Sequence, residues 1–280
     1  MSGAVPLARE VAQLRLQVCT WRAAGESLAL VPTMGALHRG HLELVRLAKA
    51  RCRRAVVSIF VNPTQFAPHE DFERYPRDEA GDLAKLAEVG CDLVWAPDRL
   101  EMYPDGFATR IVPGGSAEGL EGEFRPHFFA GVATICCKLF TQVAPDIAVF
   151  GEKDYQQLCV VRQMVRDLNL PLDIVELATV REPDGLALSS RNAYLSAEER
   201  RTAPLLHRVI ADVARGVTQG RGAVVAEGKA ALEAAGFKVD YLEVRDAETL
   251  LPAVAGSGRR LRVLAAAWLG KTRLIDNVPA

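Results

Sequence analysis

His38 and His41 stand three residues apart in the stretch VPTMGALHRGHLELVR (31–46), with Gly40 between them and Gly35 just before. Imidazoles carry protons near neutral pH and donate hydrogen bonds to anions. A lone loop histidine is most often a polar surface residue, so the pair gains meaning only from its place. The apolar run 28–31 stops at Pro32 and a helical pattern starts at Leu42, which puts both histidines where a strand hands over to a helix. Glycines there let the backbone approach a ligand, and the first helical turn offers free N–H groups and a positive dipole end. Such a junction suits phosphate. A zinc site would need at least one more ligand, and no cysteine or acidic cluster nearby supplies it.

The dinucleotide fingerprint GxGxxG and the Walker P-loop are both absent. The histidine loop is therefore itself the candidate phosphate-binding element.

The elements that must position this loop alternate. Short apolar runs at 28–31, 55–61, 93–96, 109–112, 147–150 and 174–180 predict strands, and the patterns at 42–51, 78–89, 131–143 and 155–168 predict helices. The runs are nearly continuous in apolar residues, as strands buried on both faces are. Strand–helix–strand repetition implies a Rossmann-like α/β fold, an open parallel sheet with helices on both faces. Ligands bind such sheets outside the carboxyl ends of the strands, where the histidine loop falls. After residue 180 the texture changes. REPDGLALSSRN reads as a loop, and Ser196 with Glu199 forms a capping box opening a helix through SAEERRTAPLLHRVIADVARG. A second helix (224–235) ending at Gly236 follows, then two strands, KVDYLEVRD and RLRVLAAAWLG. The division is thus a domain at 1–180 and a smaller α+β domain at 181–280.

Composition bounds the class. The chain has 280 residues, 49% apolar and 25% charged, with net charge −1. That is ordinary for a globular protein and leaves no general basic field to gather nucleic acid or an anionic membrane. The six cysteines show no CxxC and no metal-ligand spacing, so they read as thiols of a reducing compartment. The N-terminal stretch mixes charges into its first apolar run, and the longest apolar runs are too short to span a bilayer. A cytoplasmic protein follows.

PTMGALHRGH (32–41) resembles the HxGH motif of the class I nucleotidyltransferase and aminoacyl-tRNA synthetase superfamily. VNPTQF (61–66), FERYPR (72–77), FGEKDYQQL (150–158) and LALSSRNAYL (186–195) narrow the likeness to the pantothenate synthetase family, the ATP-dependent ligases of pantoate and β-alanine. The resemblance implies a magnesium-dependent reaction through an acyl adenylate, releasing pyrophosphate and then AMP, in a homodimer. Residue by residue, it implies that Met34, Gly35, Ala36, Leu37, His38, Arg39, Gly40 and His41 hold ATP, with His41 the acid that assists the phosphates and His38 and Lys153 beside it. Gly151, Glu152, Lys153, Asp154, Val180, Leu188, Ser189, Ser190 and Arg191 would complete the nucleotide site. Gln65 and Gln157 would hold pantoate, Gln65 also meeting β-alanine. Asn62 belongs to the same substrate side, either supporting Gln65 or making the turn before Pro63.

These residue types suit that chemistry. Fixed donors on phosphate oxygens where charge builds are worth a factor of roughly 100–1000 each. Lys153 is a point charge, and Ser189, Ser190 and Arg191 supply hydroxyls and a planar cation. Neutral glutamines orient a nucleophilic carboxylate without quenching it, as a bidentate arginine would. The helix N-terminus disfavours imidazolium and a triphosphate favours it, so His41 is expected to be neutral in the empty site and protonated beneath ATP. RPHFFAGV (125–132) departs from the family's RPGHFRGV: His127 comes one position early, with Phe128 and Ala130 following, and Ala67 stands where glycine is usual. Tyr75 and Arg77 match a motif without an assigned role. Two other readings share these features: an adenylyltransferase acting on a phosphate monoester, which would present more cations, and a catalytically silent nucleotide-binding protein.

Overall fold

The computed structural model describes residues 4–67, 70, 72–254, 256 and 258–280; residues 1–3, the start of the stretch read for a leader, lie outside the described residues. Six strands, β1 (Leu7–Ala8), β2 (Leu28–Thr33), β3 (Arg54–Ile59), β4 (Leu93–Trp95), β5 (Ile147–Gly151) and β6 (Asp173–Leu177), form one sheet in the order β1-β4-β3-β2-β5-β6. Every neighbouring pair is parallel. The intervening helices are α1 (Val11–Ala23), α2 (Arg39–Arg51), α3 (Glu79–Glu88), the short α4 (Arg99–Met102) and α5 (Glu121–Phe124), α6 (Phe128–Val143) and α7 (Tyr155–Asp167). The rest of the chain adds α8 (Ala197–Thr202), α9 (Leu205–Thr218) and α10 (Val224–Ala234). These accompany an antiparallel sheet of β7 (Phe237–Asp246), β8 (Leu261–Leu269) and β9 (Thr272–Pro279).

The expected parallel α/β sheet with a second α+β unit is what forms. β2 shows why. Leu28 and Leu30 enter a core with Trp95, Val132, Leu139 and Val143 from α6, while Ala29 and Val31 enter another with Val45 and Ala48 from α2. Successive side chains point to opposite faces, and both faces are covered. Each fully buried Leu or Val contributes about 1.5–3 kcal/mol.

Some expectations need correcting. Residues 109–112 form no strand: the Ile111 N–H is taken by the Thr134 hydroxyl at 3.0 Å, Val112 is 77% exposed, and Pro113 follows. The chain there lies along α6 instead of joining the sheet. The strand expected to reach residue 180 stops at Leu177. The helix opening at Ser196 keeps its capping box but breaks at Pro204, whose ring removes a backbone donor, so two helices stand there. β9 is a third strand where two were expected.

β2 pairs with β3 on one side and β5 on the other. The connections after β2 and β5 therefore leave from adjacent strand ends, which opens a crevice at this point of the sheet. The turn after β3 closes one side of it by lying on α6. Asn62 Nδ2 donates to the Gly131 carbonyl at 3.2 Å, and a Cβ at Gly131 would stand 2.4 Å from the Thr64 carbonyl oxygen. Gly131→Ala is expected to destabilise the protein by about 1–3 kcal/mol. Urea unfolding should show a lower midpoint at unchanged slope.

Candidate active site

His38 caps α2: its Nδ1 accepts from the Gly40 N–H at 3.1 Å, and His41 Nδ1 accepts from the His38 N–H at 3.3 Å. Backbone N–H groups cannot reverse their role, so a neutral ring in either place carries its proton on Nε2. Burial pushes His38 down to about 4, with Lys153 and Lys85 adding to the effect. Burial also pushes His41 down to about 3, helped by His38, Lys153 and Lys85. Both shifts favour the neutral ring expected without nucleotide, and burial is the largest cause of each. The ring centroids lie 4.1 Å apart, so the two imidazoles form one donor patch.

Behind the loop lies a carboxylate that the sequence reading missed. Gly35 (φ 81°) and Ala36 (φ 50°) are both left-handed, which turns the Leu37 N–H inward onto Asp82 Oδ1 at 2.7 Å. Lys85 Nζ holds the Leu37 carbonyl at 2.9 Å. A Cβ at Gly35 would meet Asp82 Oδ2 at 3.1 Å. Of the loop, Met34, His38, Gly40 and His41 reach the cavity, whereas Gly35, Ala36 and Leu37 form its back. Arg39 turns away, donating to the Arg181 carbonyl at 2.7 Å.

β5 ends at Gly151, and a single 3₁₀ turn, Glu152–Asp154, presents Lys153 and Asp154 to the same cavity. Glu152 points elsewhere, into a 2.8 Å ion pair with Arg262 of β8. Lys153 is 21% exposed, less open than a lysine past a strand end would suggest. Val180 and Leu188 flank a small hairpin closed by the Leu188 N–H on the Val180 carbonyl at 3.0 Å. Ser189 then caps the turn Ser190–Tyr194. Tyr75 anchors that turn, its hydroxyl 3.3 Å from Ser190 Oγ and its ring centroid 5.8 Å from the Arg191 guanidinium. Arg77 donates to the Phe72 carbonyl at 3.0 Å and lies over the Phe72 ring, shaping its own loop.

The amide chemistry of Gln65 is fixed by a chain of donors. The Thr64 N–H and the Tyr103 hydroxyl donate to Asn62 Oδ1 at 3.3 and 2.9 Å, so Asn62 Nδ2 must donate to Gln65 Oε1, at 2.8 Å. Gln65 is left with its NH₂ group for the cavity, suited to a carboxylate. Asn62 is 1% exposed and lies off the cavity wall; it supports Gln65 and makes the turn as well. Gln157 lines the same cavity. The departure at 127–130 acts here too. The Phe128 ring carries the Arg125 guanidinium at 3.9 Å, and Arg125 Nη2 donates to the Gln65 carbonyl at 3.0 Å. Ala130 stays off the wall, and the buried His127 Nε2 has no partner.

All of these walls enclose one cavity of about 760 Å³, reached by residues of both sheets. Among the described residues no group of three or more His, Cys, Asp or Glu side chains could hold a metal ion, and no helix is long and apolar enough to cross a membrane.

The family described as pantoate-beta-alanine ligase matches residues 6–279. The chain belongs to the pantoate–β-alanine ligase family. It is 57% identical over 281 residues to the pantothenate synthetase of a Bradyrhizobium species, covering 99% of each chain. The crystal structure of pantothenate synthetase from Thermus thermophilus superposes with a TM-score of 0.89 at 48% identity, covering 98% of this chain and 99% of that one. The Francisella tularensis pantoate–β-alanine ligase, solved in complex with β-γ ATP and β-alanine, gives a TM-score of 0.83 at 32% identity, covering 99% and 98%. In this member of the pantoate–β-alanine ligases, the parallel sheet and small antiparallel sheet are therefore the family's fold.

The buried histidines make the stability of this ligase depend on pH in a definite direction. A free histidine titrates near pH ~6.5, so the unfolded chain holds its proton while the folded chain, with His41 at about 3, does not. Stability contributed by the neutral ring is thus present above the unfolded value and falls as pH drops through that window. His41→Asn is expected to remove up to about 1.4 kcal/mol per pH unit from this slope. Urea unfolding of both proteins in steps between pH ~6.5 and ~4 measures it.

Proposed function

We propose that the chain condenses pantoate with β-alanine, using ATP, through a pantoyl-adenylate intermediate. One observation carries this reading: His38, His41, Lys153 and the 189–191 turn share a single cavity with Gln65 and Gln157. In the first step the pantoate carboxylate, oriented by the amides of Gln65 and Gln157, attacks the α-phosphorus of ATP. The bond to the β-phosphate breaks and pyrophosphate leaves. The β-alanine amine, met by Gln65, then attacks the acyl carbon, and AMP departs with the electron pair of the broken bond.

The nucleotide sits along Met34, Gly40, Gly151, Val180 and Leu188. Ser189, Ser190, Arg191 and Lys153 supply donors and positive charge to its phosphates. Bound triphosphate adds several negative charges beside His41 and raises its pKa, so this ring takes up a proton beneath ATP and serves as the acid there. A magnesium ion bound with the triphosphate would supply further neutralisation of the phosphate charge, and Asp154, whose carboxylate lies 3.7 Å from Lys153 Nζ on the cavity wall, would be the residue to hold it. Residues 181–280 act as the lid, and the 181–195 segment closes over ATP to keep water from the mixed anhydride. Six unpaired thiols support a reducing, cytoplasmic setting, and a homodimer follows the family.

Supplied with ATP, Mg²⁺ and pantoate alone, the protein is expected to release about one pyrophosphate per site in a burst, since the acyl adenylate waits for its amine. β-Alanine should restart turnover and yield AMP. His41→Ala should slow the burst by a factor of about 100–1000, and Gln157→Glu should abolish it by repelling the carboxylate. Rapid-quench time courses of labelled ATP, each substrate omitted in turn, check all three. ADP as product, or steady turnover without amine, would exclude this mechanism.

A further inference from the structure

Lys153 depends on a short segment of backbone with little to hold it. Its 3₁₀ turn has three residues, and neither Gly151 before it nor Asp154 before α7 makes a side-chain cap. Turns of this length lack a ladder of their own. The turn is gripped from the other sheet. Asn277 of β9 donates through Nδ2 to the Glu152 carbonyl and the Lys153 carbonyl, both at 2.9 Å. Arginine only donates, so the 2.7 Å bond from Arg262 Nε to Asn277 Oδ1 fixes the amide's orientation. Asn277 is 3% exposed, which makes all of its side-chain bonding capacity internal.

Arg262 tightens the same grip. Its Nη2 meets Glu152 Oε2 at 2.8 Å and its guanidinium lies 3.7 Å from the Tyr155 ring centroid. The preceding residue in β9, Asp276, binds both terminal nitrogens of Arg181 at 2.7 and 2.9 Å, at the start of the segment that carries Ser189 to Arg191. Two adjacent residues of β9 thus hold the Lys153 turn and the start of the segment that leads to Ser189.

We propose that Asn277 is a positioning residue for Lys153, setting the ammonium on the phosphates by clamping two consecutive carbonyls of its turn. The proposal rests on the role given to Lys153 above. An ångström of displacement in a catalytic group costs a factor on the order of 100 in rate, whereas two lost hydrogen bonds are a small part of total stability. Asn277→Asp keeps the acceptor for Arg262 and replaces both donors to the turn with a carboxylate oxygen that repels its carbonyls, while Asn277→Ala removes the donors without adding charge.

The test is a double-mutant cycle on the single-turnover adenylation rate, using Asn277→Asp and Lys153→Ala alone and combined. Asn277→Asp should lower the rate roughly 10- to 100-fold with pantoate affinity unchanged. In the Lys153→Ala background it should add almost nothing. An equal loss in both backgrounds, or an unchanged rate in Asn277→Asp, would overturn the proposal. A full rate in Lys153→Ala alone would remove the underlying role of Lys153, and the proposal with it. If Asn277→Asp does not fold, Asn277→Ala carries the same cycle. Failure of both to fold would make Asn277 a stability residue and likewise overturn the proposal.

Discussion

Ala29 and Leu30 of β2 pair with Ile147 and Ala148 of β5, strands separated in the chain by more than a hundred residues. This pairing brings the histidine loop and the Lys153 turn together, because each follows directly from one of the two paired strands. It also sets their electrostatics. Burial does most to lower the pKa of both imidazoles and Lys153 adds to it, so the cation that would meet the phosphates helps keep the rings neutral until an anion arrives.

Preorganisation is the second theme. Left-handed backbone at Gly35 and Ala36 aims a backbone donor at Asp82, which is 1% exposed. The loop is thus held from behind by a carboxylate on α3. Gln65 is prepared in the same way, its carbonyl end occupied by Asn62 and its backbone held by Arg125. An ordered site spends less binding energy on fixing its own groups.

Much of this was legible in the chain. The continuous apolar strands, the histidine loop and the capping box at Ser196 all announce themselves through local pattern, and local pattern is what builds them. The supports were not legible. Asp82 lies four residues before Leu86, so both share the buried face of α3, and a carboxylate in that register was the available signal. Asn277 and Asp276 broke the apolar run of β9 and hid a strand whose polar residues are buried by partners far along the chain. The 109–112 run failed because apolar composition cannot tell a strand from an extended segment lying on a helix.

The small sheet is more than an attachment to the large one. Tyr241, Leu264 and Ala266 belong to the same apolar core as Leu158, Met164 and Leu30, and Arg273 of β9 bridges to Glu121 of α5 at 2.5 Å and to Asp240 at 2.7 Å. A shared core ties the melting of one sheet to that of the other. Heat should therefore take the whole chain apart in one calorimetric transition, with no folded remnant left when either half is lost.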